Sequence, residues 1–527
     1  MQTSSLSGNE EFDVIVVGAG VGGCIAAARI AQFGVNPRNG EKLKIALFEW
    51  GAYHKGDVKR GYGIPSRRAA FDGMPFELAR RYMLPWGTLG MVGGSTHWAG
   101  MIAHPPEAID FDHWRAETGV DWTWENFTYP LVEVREMWHP YPEPDEVRSP
   151  GQKRFKEVAL ALGYNVYEAA QAKLNCPRCG DCNGRVCRYD AKSTPLVTYV
   201  PIAEKEGVKI FAETPVEKIV IEKKGSRPVA TGVVYRKDGS LHQARGNTII
   251  AACGYNGTPR LLYRSGYGPR EKVQGELIVE NANVGKWLVS SLNVPGANCW
   301  FDWPIKYPDI GTHGVYYIER TTPRGMNDLV VREDFGSREG TGRFPEDFAM
   351  SALAPDFGRD FKAYMKDSTT HVGNIGIELS KNPLRGEIDT SGRSVFGGLV
   401  SGEGEAERGG IRSDFIAKNF PAVIETLMEG KEIVEKVVKE LAPKKVNYRK
   451  TLPEQLGTNH NHGSCRAGAS KENSVVNSDL ESHDVDNLFI CDASVLPFQS
   501  RANPSMPTAA VCSHGWRRMV AKHFSHA

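Results

Sequence analysis

The chain has 527 residues, 41% hydrophobic and 24% charged, and its 64 basic and 63 acidic side chains leave a formal net charge of +1. With no long block of one sign, this balance excludes a nucleic-acid footprint, and the length allows several folding units around a large core. The polar start MQTSSLSGNEE lacks an apolar signal core, and no run approaches the ~18 apolar residues of a membrane span. The chain therefore reads as cytoplasmic, or as periplasmic if exported with a signal-bearing partner subunit.

Phe12 to Val17 (FDVIVV) is a short apolar run rich in β-branched residues, which predicts a buried parallel strand. It leads into Gly18-Ala19-Gly20-Val21-Gly22-Gly23, so Gly18, Gly20 and Gly23 satisfy G-x-G-x-x-G, and CIAAARIAQFG beyond has helix composition. Gly18 permits the tight turn, Gly20 lets a pyrophosphate approach the backbone, and Gly23 lets helix and strand pack closely. The helix N-terminus then stabilises the anion. A second strand, Lys44 to Phe48, ends at Glu49, whose carboxylate suits the ribose hydroxyls of an adenosine half. Glu49 lies 31 positions after Gly18. That exceeds the usual ~20, and a polar loop, VNPRNGEKL, accounts for the excess.

The chain has ten cysteines, too few for a disulfide scaffold. Four of them, Cys176, Cys179, Cys182 and Cys187, crowd into one stretch with Pro177, Gly180, Asp181, Asn183 and Gly184, which is loop composition. Thiolates so spaced can converge on an iron–sulfur cluster or a structural zinc, and reduced thiols packed as small hydrophobes are the third reading. Arg178, Arg185 and Arg188 would offset the charge of a thiolate-held cluster. The expectation is an iron–sulfur cluster held by at least three of the four.

Thr214 to Leu262 alternates like a meander, with a hairpin signal at Asp238-Gly239 and a final apolar strand, NTIIAACG. The nucleotide fold is thus assembled from separated segments. Trp114, Trp122, Trp124, Trp138, Trp300, Trp303, Tyr316 and Tyr317 fall in the intervening chain, where sugar-stacking aromatics are expected among a majority that simply pack. Asp414 to Lys444 has helical periodicity, predicting one or two helices that bridge the domains. Near the end come HNHGSCRAG, NLFICDASVLP and Asn503-Pro504, which add imidazoles, a carboxylate and an amide to the chemistry available. Alcohol oxidation removes a hydride from carbon and a proton from oxygen, and a histidine suits the proton near neutral pH.

Several of these segments resemble the glucose-methanol-choline (GMC) family of flavoprotein oxidoreductases: VIVVGAGVGG, VGGSTHWAG, IIAACGYNGTPRLLYRSG, HNHGSCRAG, NLFICDASVLP and NPSMPTAAV. The resemblance covers both ends and the middle, and 291–440 matches loosely. His97-Trp98 and the tail of the cysteine stretch are similar to sugar-oxidising members: gluconate and fructose dehydrogenase large subunits, glucoside 3-dehydrogenases and, more distantly, pyranose oxidases.

The resemblance implies an α/β protein with a Rossmann-like FAD-binding domain and a separate substrate-binding domain built on an antiparallel sheet. The first is expected from 8–105, 172–290 and 445–527, the second from 106–171 and 291–444. The family register makes His460 the base, ahead of His462, and Asn503 the donor to the substrate oxygen. It places Gly93, Gly94 and Ser95 along the pyrophosphate, His97 beside the flavin or covalently bonded to it, Val216 at the adenine, and Asp492 at the ribityl or pyrophosphate region. It implies oxidation of a secondary or hemiacetal hydroxyl of a sugar, glycoside or sugar acid. The electrons would pass to a partner small subunit and a cytochrome or other acceptor, with an oxygen-using oxidase as the alternative.

Overall fold

The structure is a computed structural model that describes residues 10–53, 89–97, 99–180, 187, 189–307, 310–311, 315–320, 328–336, 353, 358–368, 370–396, 399–400, 410–448, 452–453, 455–500 and 503–525. Two large sheets organise it. The apolar run at the start forms β1 (Glu11–Val17), buried from Val14 onward, and the helix α1 (Val21–Phe33) follows directly from Gly20. β1 pairs in parallel with β2 (Ile45–Phe48), and β2 pairs with β3 (Lys209–Phe211) at the sheet edge. A meander follows: β4 (Val216–Lys224), β5 (Arg227–Lys237) and β6 (Ser240–Ala251). Asp238 and Gly239 both have positive φ, 49° and 80°, the type I′ requirement that their sequence signalled.

β6 is the hinge of this architecture. Its first half pairs antiparallel with β5, and its second half pairs in parallel with β1 and with the short strand Leu488–Ile490. The result is a seven-stranded sheet whose parallel strands end together at the glycine turn. The helix α2 (Gly254–Arg264) leaves from the end of β6.

The second sheet has eight strands, all paired antiparallel. The order is β11 (Gly410–Arg412), β13 (Gln455–His462), β7 (Val289–Trp300), β10 (Val372–Ser380), β9 (Asp328–Asp334), β8 (Tyr316–Arg320) and the edge strand Val166–Glu168. β12 (Lys445–Tyr448) also pairs with β7. One face is covered by α3 (Pro421–Leu441), whose Val423, Leu427, Val434 and Val438 share a core with Leu292, Leu329, Ile375 and Ile377. Gly430 allows this close approach, since a β-carbon there would come within 2.8 Å of Ile377 Cγ2. The segment 414–444 does form two helices, Ser413–Asn419 and α3, but α3 lies on the sheet and does not bridge domains.

Packing also redraws the expected segment boundaries. The helices Ala108–Thr118 and Thr128–Trp138 lie within 106–171, yet Phe111, Trp114, Phe127, Val134 and Trp138 share one core with β1 and α1. Glu133 fastens that association, accepting from Arg29 of α1 at 2.5 Å and from Trp516 of the C-terminal helix Ser505–His523 at 3.1 Å. In the other direction, strand pairing keeps β12 and β13 in the antiparallel sheet, beyond residue 444. The chain rejoins the nucleotide sheet at Leu488. Of the aromatics expected at a sugar site, Trp114, Trp122, Trp138, Trp300, Tyr316 and Tyr317 are buried in packing, and Trp124 is exposed. Among the described residues no helix is long and apolar enough to cross a membrane.

Candidate active site

The nucleotide cradle is made almost wholly of backbone. Gly18 has φ +101°, and a β-carbon there would strike the Ala252 carbonyl. A β-carbon on Gly23 would overlap the Gly18 carbonyl oxygen, and one on Gly22 the Cys491 carbonyl oxygen. Gly20 is different: a β-carbon there meets nothing within 4 Å. It opens α1 with no side-chain cap, so it leaves the first N–H groups of α1 without a side-chain acceptor there. This is the form a pyrophosphate needs, and the glycines fit FAD at this turn.

Glu49 is buried at the end of β2. It accepts from Ala19 N at 2.8 Å through one oxygen and from Gly51 N at 2.9 Å through the other, so it braces the glycine turn. Burial pushes its carboxyl up, and these amides act against that. Thr214 N bonds to the Glu49 carbonyl at 2.9 Å and Glu213 N to the Gly51 carbonyl at 2.8 Å, which brings Val216, the first residue of β4, beside Glu49.

The segment 89–97 docks onto the same turn: Val92 N bonds to Ala52 O at 3.0 Å and Gly93 N to Ala19 O at 2.8 Å. A β-carbon on Gly94 would come within 2.8 Å of Gly20 Cα, so Gly93-Gly94 lies against the mouth of the cradle. Ser95 is turned to Leu89, whose amide donates to its hydroxyl at 3.1 Å. His97 is buried, with Nε2 3.0 Å from Val92 O. Lys192 holds the carbonyls of His97 and Ala99 at 2.9 and 2.8 Å, tying the chain after the cysteine loop to this segment. Trp98 lies outside the described residues.

Asp492 follows the strand Leu488–Ile490. Its carboxylate accepts from Gly254 N at 2.9 Å, Thr258 Oγ1 at 2.5 Å and Ser494 N at 2.7 Å. It therefore joins the start of α2 to its own turn, next to the N-terminus of α1 where Cys491 touches Gly22.

His460 comes from the other sheet. His460 lies near the end of β13, where Ser291 pairs Asn459 and Val289 pairs His462. Two residues of β13 thus oppose one of β7, a β-bulge that re-aims the His460 side chain. His460 has φ +57°, a left-handed conformation that a non-glycine residue holds only under constraint. Beyond the bulge the chain runs along the Asp492 turn, with Gly463 N on Ala493 O at 3.2 Å and Cys465 N on Ser494 O at 2.9 Å. His460 therefore stands where the two sheets share chain.

His460 Nε2 lies 2.9 Å from Asn503 Nδ2, and His460 Nδ1 lies 2.8 Å from Glu378 Oε1 and 3.0 Å from Ser291 Oγ. The expected pair, His460 and Asn503, is brought together across 43 residues of sequence. Glu378 and Ser291 were not foreseen. The one available signal was an acid between Ile377 and Leu379 in an apolar strand, a position where a carboxylate needs a partner.

Burial alone would raise the Glu378 carboxyl. His460, Arg332 with Nη1 4.0 Å from Oε2, and Ser291 outweigh it and hold the group down at about 2, so it is ionised. A carboxylate that is ionised only accepts, so Nδ1 is the nitrogen placed to donate to Glu378, and the Asn503 amide faces Nε2. His462 is fully buried, its Nδ1 2.8 Å from the His460 carbonyl, and burial lowers it to about 4, which keeps it neutral.

Cys176, Cys179 and Cys187 are half-buried and form no disulfide, and Cys182 lies outside the described residues. Amides of Arg178 and Ala191 bond to Cys176 and Cys187 sulfur at 3.3 and 3.4 Å. Among the described residues no three His, Cys, Asp or Glu side chains gather to hold a metal ion, so the described cysteines do not form an iron–sulfur ligand set.

Comparison with known proteins agrees with this geometry. Two GMC oxidoreductase family profiles match residues 12–292 and 412–512. Long-chain-alcohol oxidase FAO3 of Arabidopsis thaliana is 24% identical over 98% of this chain and 69% of its own length. The 6'''-hydroxyparomomycin C oxidase of Streptomyces lividus is 22% identical over 98% of this chain and 92% of its own. Among solved structures, pyridoxine 4-oxidase from Mesorbium loti superposes with TM-score 0.69 at 16% identity, covering 98% of this chain and 100% of that one. A formate oxidase variant from Aspergillus oryzae RIB40 gives 0.70 at 15% identity, covering 98% and 99%. These structures share the fold. With the family profiles spanning most of the chain, the glycine cradle and the histidine–asparagine pair belong to an FAD-dependent enzyme acting on CH–OH groups, and the chain is a member of the GMC oxidoreductase family.

Proposed function

We propose that the protein oxidises a secondary or hemiacetal hydroxyl of a sugar, glycoside or sugar acid to a keto product and passes the electrons to an acceptor or partner subunit. The observation that carries the oxidation is the 2.9 Å pairing of His460 Nε2 with Asn503 Nδ2, next to chain that bonds to the turn after Asp492. Gly18, Gly20, Gly23, Glu49, Gly93, Gly94, Ser95, His97, Val216 and Asp492 would hold FAD, whose isoalloxazine supplies the hydride acceptor. A hydroxyl oxygen presented to the pair meets a proton acceptor, Nε2, and a donor, the Asn503 amide. The bare Nε2 takes the hydroxyl proton, and the amide steadies the oxygen as it gains charge. Support for a sugar-type substrate comes from the motif resemblance around His97 and the cysteine loop. The spacing of the four cysteines alone supports an iron–sulfur outlet.

A second reading, an oxygen-using oxidase, is favoured by relatives whose names are those of oxidases. Anaerobic mixing of the FAD-loaded protein with sugars, glycosides, aldonic acids and long-chain alcohols tests both. Bleaching by a sugar-class compound, with rapid reoxidation by an artificial acceptor and little peroxide in air, is the expected result. Rapid peroxide formation selects the oxidase, and bleaching only by long-chain alcohols overturns the substrate class.

A further inference from the structure

Glu378 lies on β10, two strands from the His460 strand, and is 1% exposed. It spans the intervening strand β7 at Ser291, whose hydroxyl is within hydrogen-bonding distance of the same imidazole nitrogen. From the far side, Arg332 of β9 faces its second oxygen. Three strands thus converge on one carboxylate, and the atom it addresses is His460 Nδ1, the nitrogen turned away from Asn503. A buried carboxylate is costly unless it is paired, and here the pairing falls on the imidazole that the chemistry uses.

We propose that Glu378 is a positioning residue for the reaction: its carboxylate holds His460 in the Nδ1–H tautomer, leaves Nε2 bare to take the hydroxyl proton, and then faces the imidazolium that forms. The role deepens the proposed function and rests on it. The bulge and the left-handed backbone at His460 give a reason for such a brace. A residue outside the regular ladder has fewer backbone bonds to fix its ring, and the carboxylate supplies a fixed point.

The tautomer is read directly by nitrogen NMR of holoenzyme labelled with 15N-histidine, the His460 signals being those lost in His460→Ala. At neutral pH the wild type is expected to show a protonated Nδ1 and a bare Nε2. Glu378→Gln is expected to shift the population toward Nε2–H. A wild-type His460 protonated at Nε2 overturns the proposal without any Glu378 variant, and so does an unchanged tautomer in Glu378→Gln.

Anaerobic stopped-flow reduction gives the second readout. Glu378→Gln should slow the limiting rate by about 10²- to 10⁴-fold while half-saturation by substrate changes little, since removing a carboxylate that orients a catalytic histidine acts on rate. In the His460→Ala background the same substitution should cost nothing more. A full additional loss there means that Glu378 acts independently of His460 and overturns the proposal. If no hydroxyl compound bleaches the wild-type flavin, the proposed function fails, and the NMR result still decides the role of Glu378.

Discussion

The two sheets contribute to the site in opposite ways. The parallel sheet works through backbone: amides at the start of α1, glycines that admit close approach, and carbonyl contacts that dock 89–97 onto the turn. The antiparallel sheet works through side chains from four strands: Ser291 and Glu378 meet the His460 imidazole, and Arg332 faces the Glu378 carboxylate. A cradle for a large anion tolerates any side chain that does not intrude. Proton transfer requires a particular atom in a particular direction. The first is fragile to added volume and the second to lost functional groups.

The largest expected effect separates the two histidines of the second sheet. His460→Ala should keep its FAD but reduce it about 100-fold to 10,000-fold more slowly under anaerobic stopped flow, the usual cost of losing a general base. His462→Ala, which removes a buried neutral ring, should be much milder. An inactive His462→Ala beside a near-normal His460→Ala would move the base by two residues and break the comparison.

On the cradle side, Gly20→Val should fold yet lose FAD, because its added carbon enters open space that the pyrophosphate would fill. Gly23→Val should fail to fold, since its β-carbon overlaps the Gly18 carbonyl oxygen. Flavin absorbance after gel filtration, together with circular dichroism, distinguishes these outcomes. Full FAD occupancy in a folded Gly20→Val protein would remove the placement.

A smaller effect tests the core between the helices. His514 stacks on Phe127 at 4.7 Å, and burial lowers it to about 4 from an ordinary 6.5. The folded state therefore keeps it neutral where the unfolded chain binds a proton. Stability falls as pH drops from 6.5 toward 4, by up to about 3 kcal/mol from this group. Urea unfolding across that window should show a shallower pH slope in His514→Phe than in wild type. Equal slopes would mean that the site is open to water.

The last prediction concerns the loop linked to the cradle through Lys192. Iron and sulfide analysis of anaerobically purified protein should find three or four iron atoms per chain if Cys176, Cys179, Cys182 and Cys187 hold a cluster. Zinc, or no metal, assigns the loop to a structural role.

The sequence alone determined the parts whose physics is local. A β-branched strand, a glycine turn and a helix occupy one short run, and only glycine meets the steric demands at Gly18 and Gly23, so the cradle was legible residue by residue. The hairpin at Asp238-Gly239 was legible for the same reason. The register of the C-terminal motif, read through its family resemblance, put His460 and Asn503 in one site.

Tertiary structure decided the rest. Whether Trp114 and Trp122 face a sugar or a core depends on α1 and the C-terminal helix, distant in sequence, and they face the core. That α3 lies along a sheet follows from the apolar face β7, β9 and β10 offer it, a surface that exists only once those strands pair. Glu378 becomes the partner of His460 because β10 and β13 flank β7 in a fixed register and a bulge turns the imidazole toward it. No local pattern specifies which strands become neighbours or where the extra residue falls, and those two choices place the carboxylate against the imidazole.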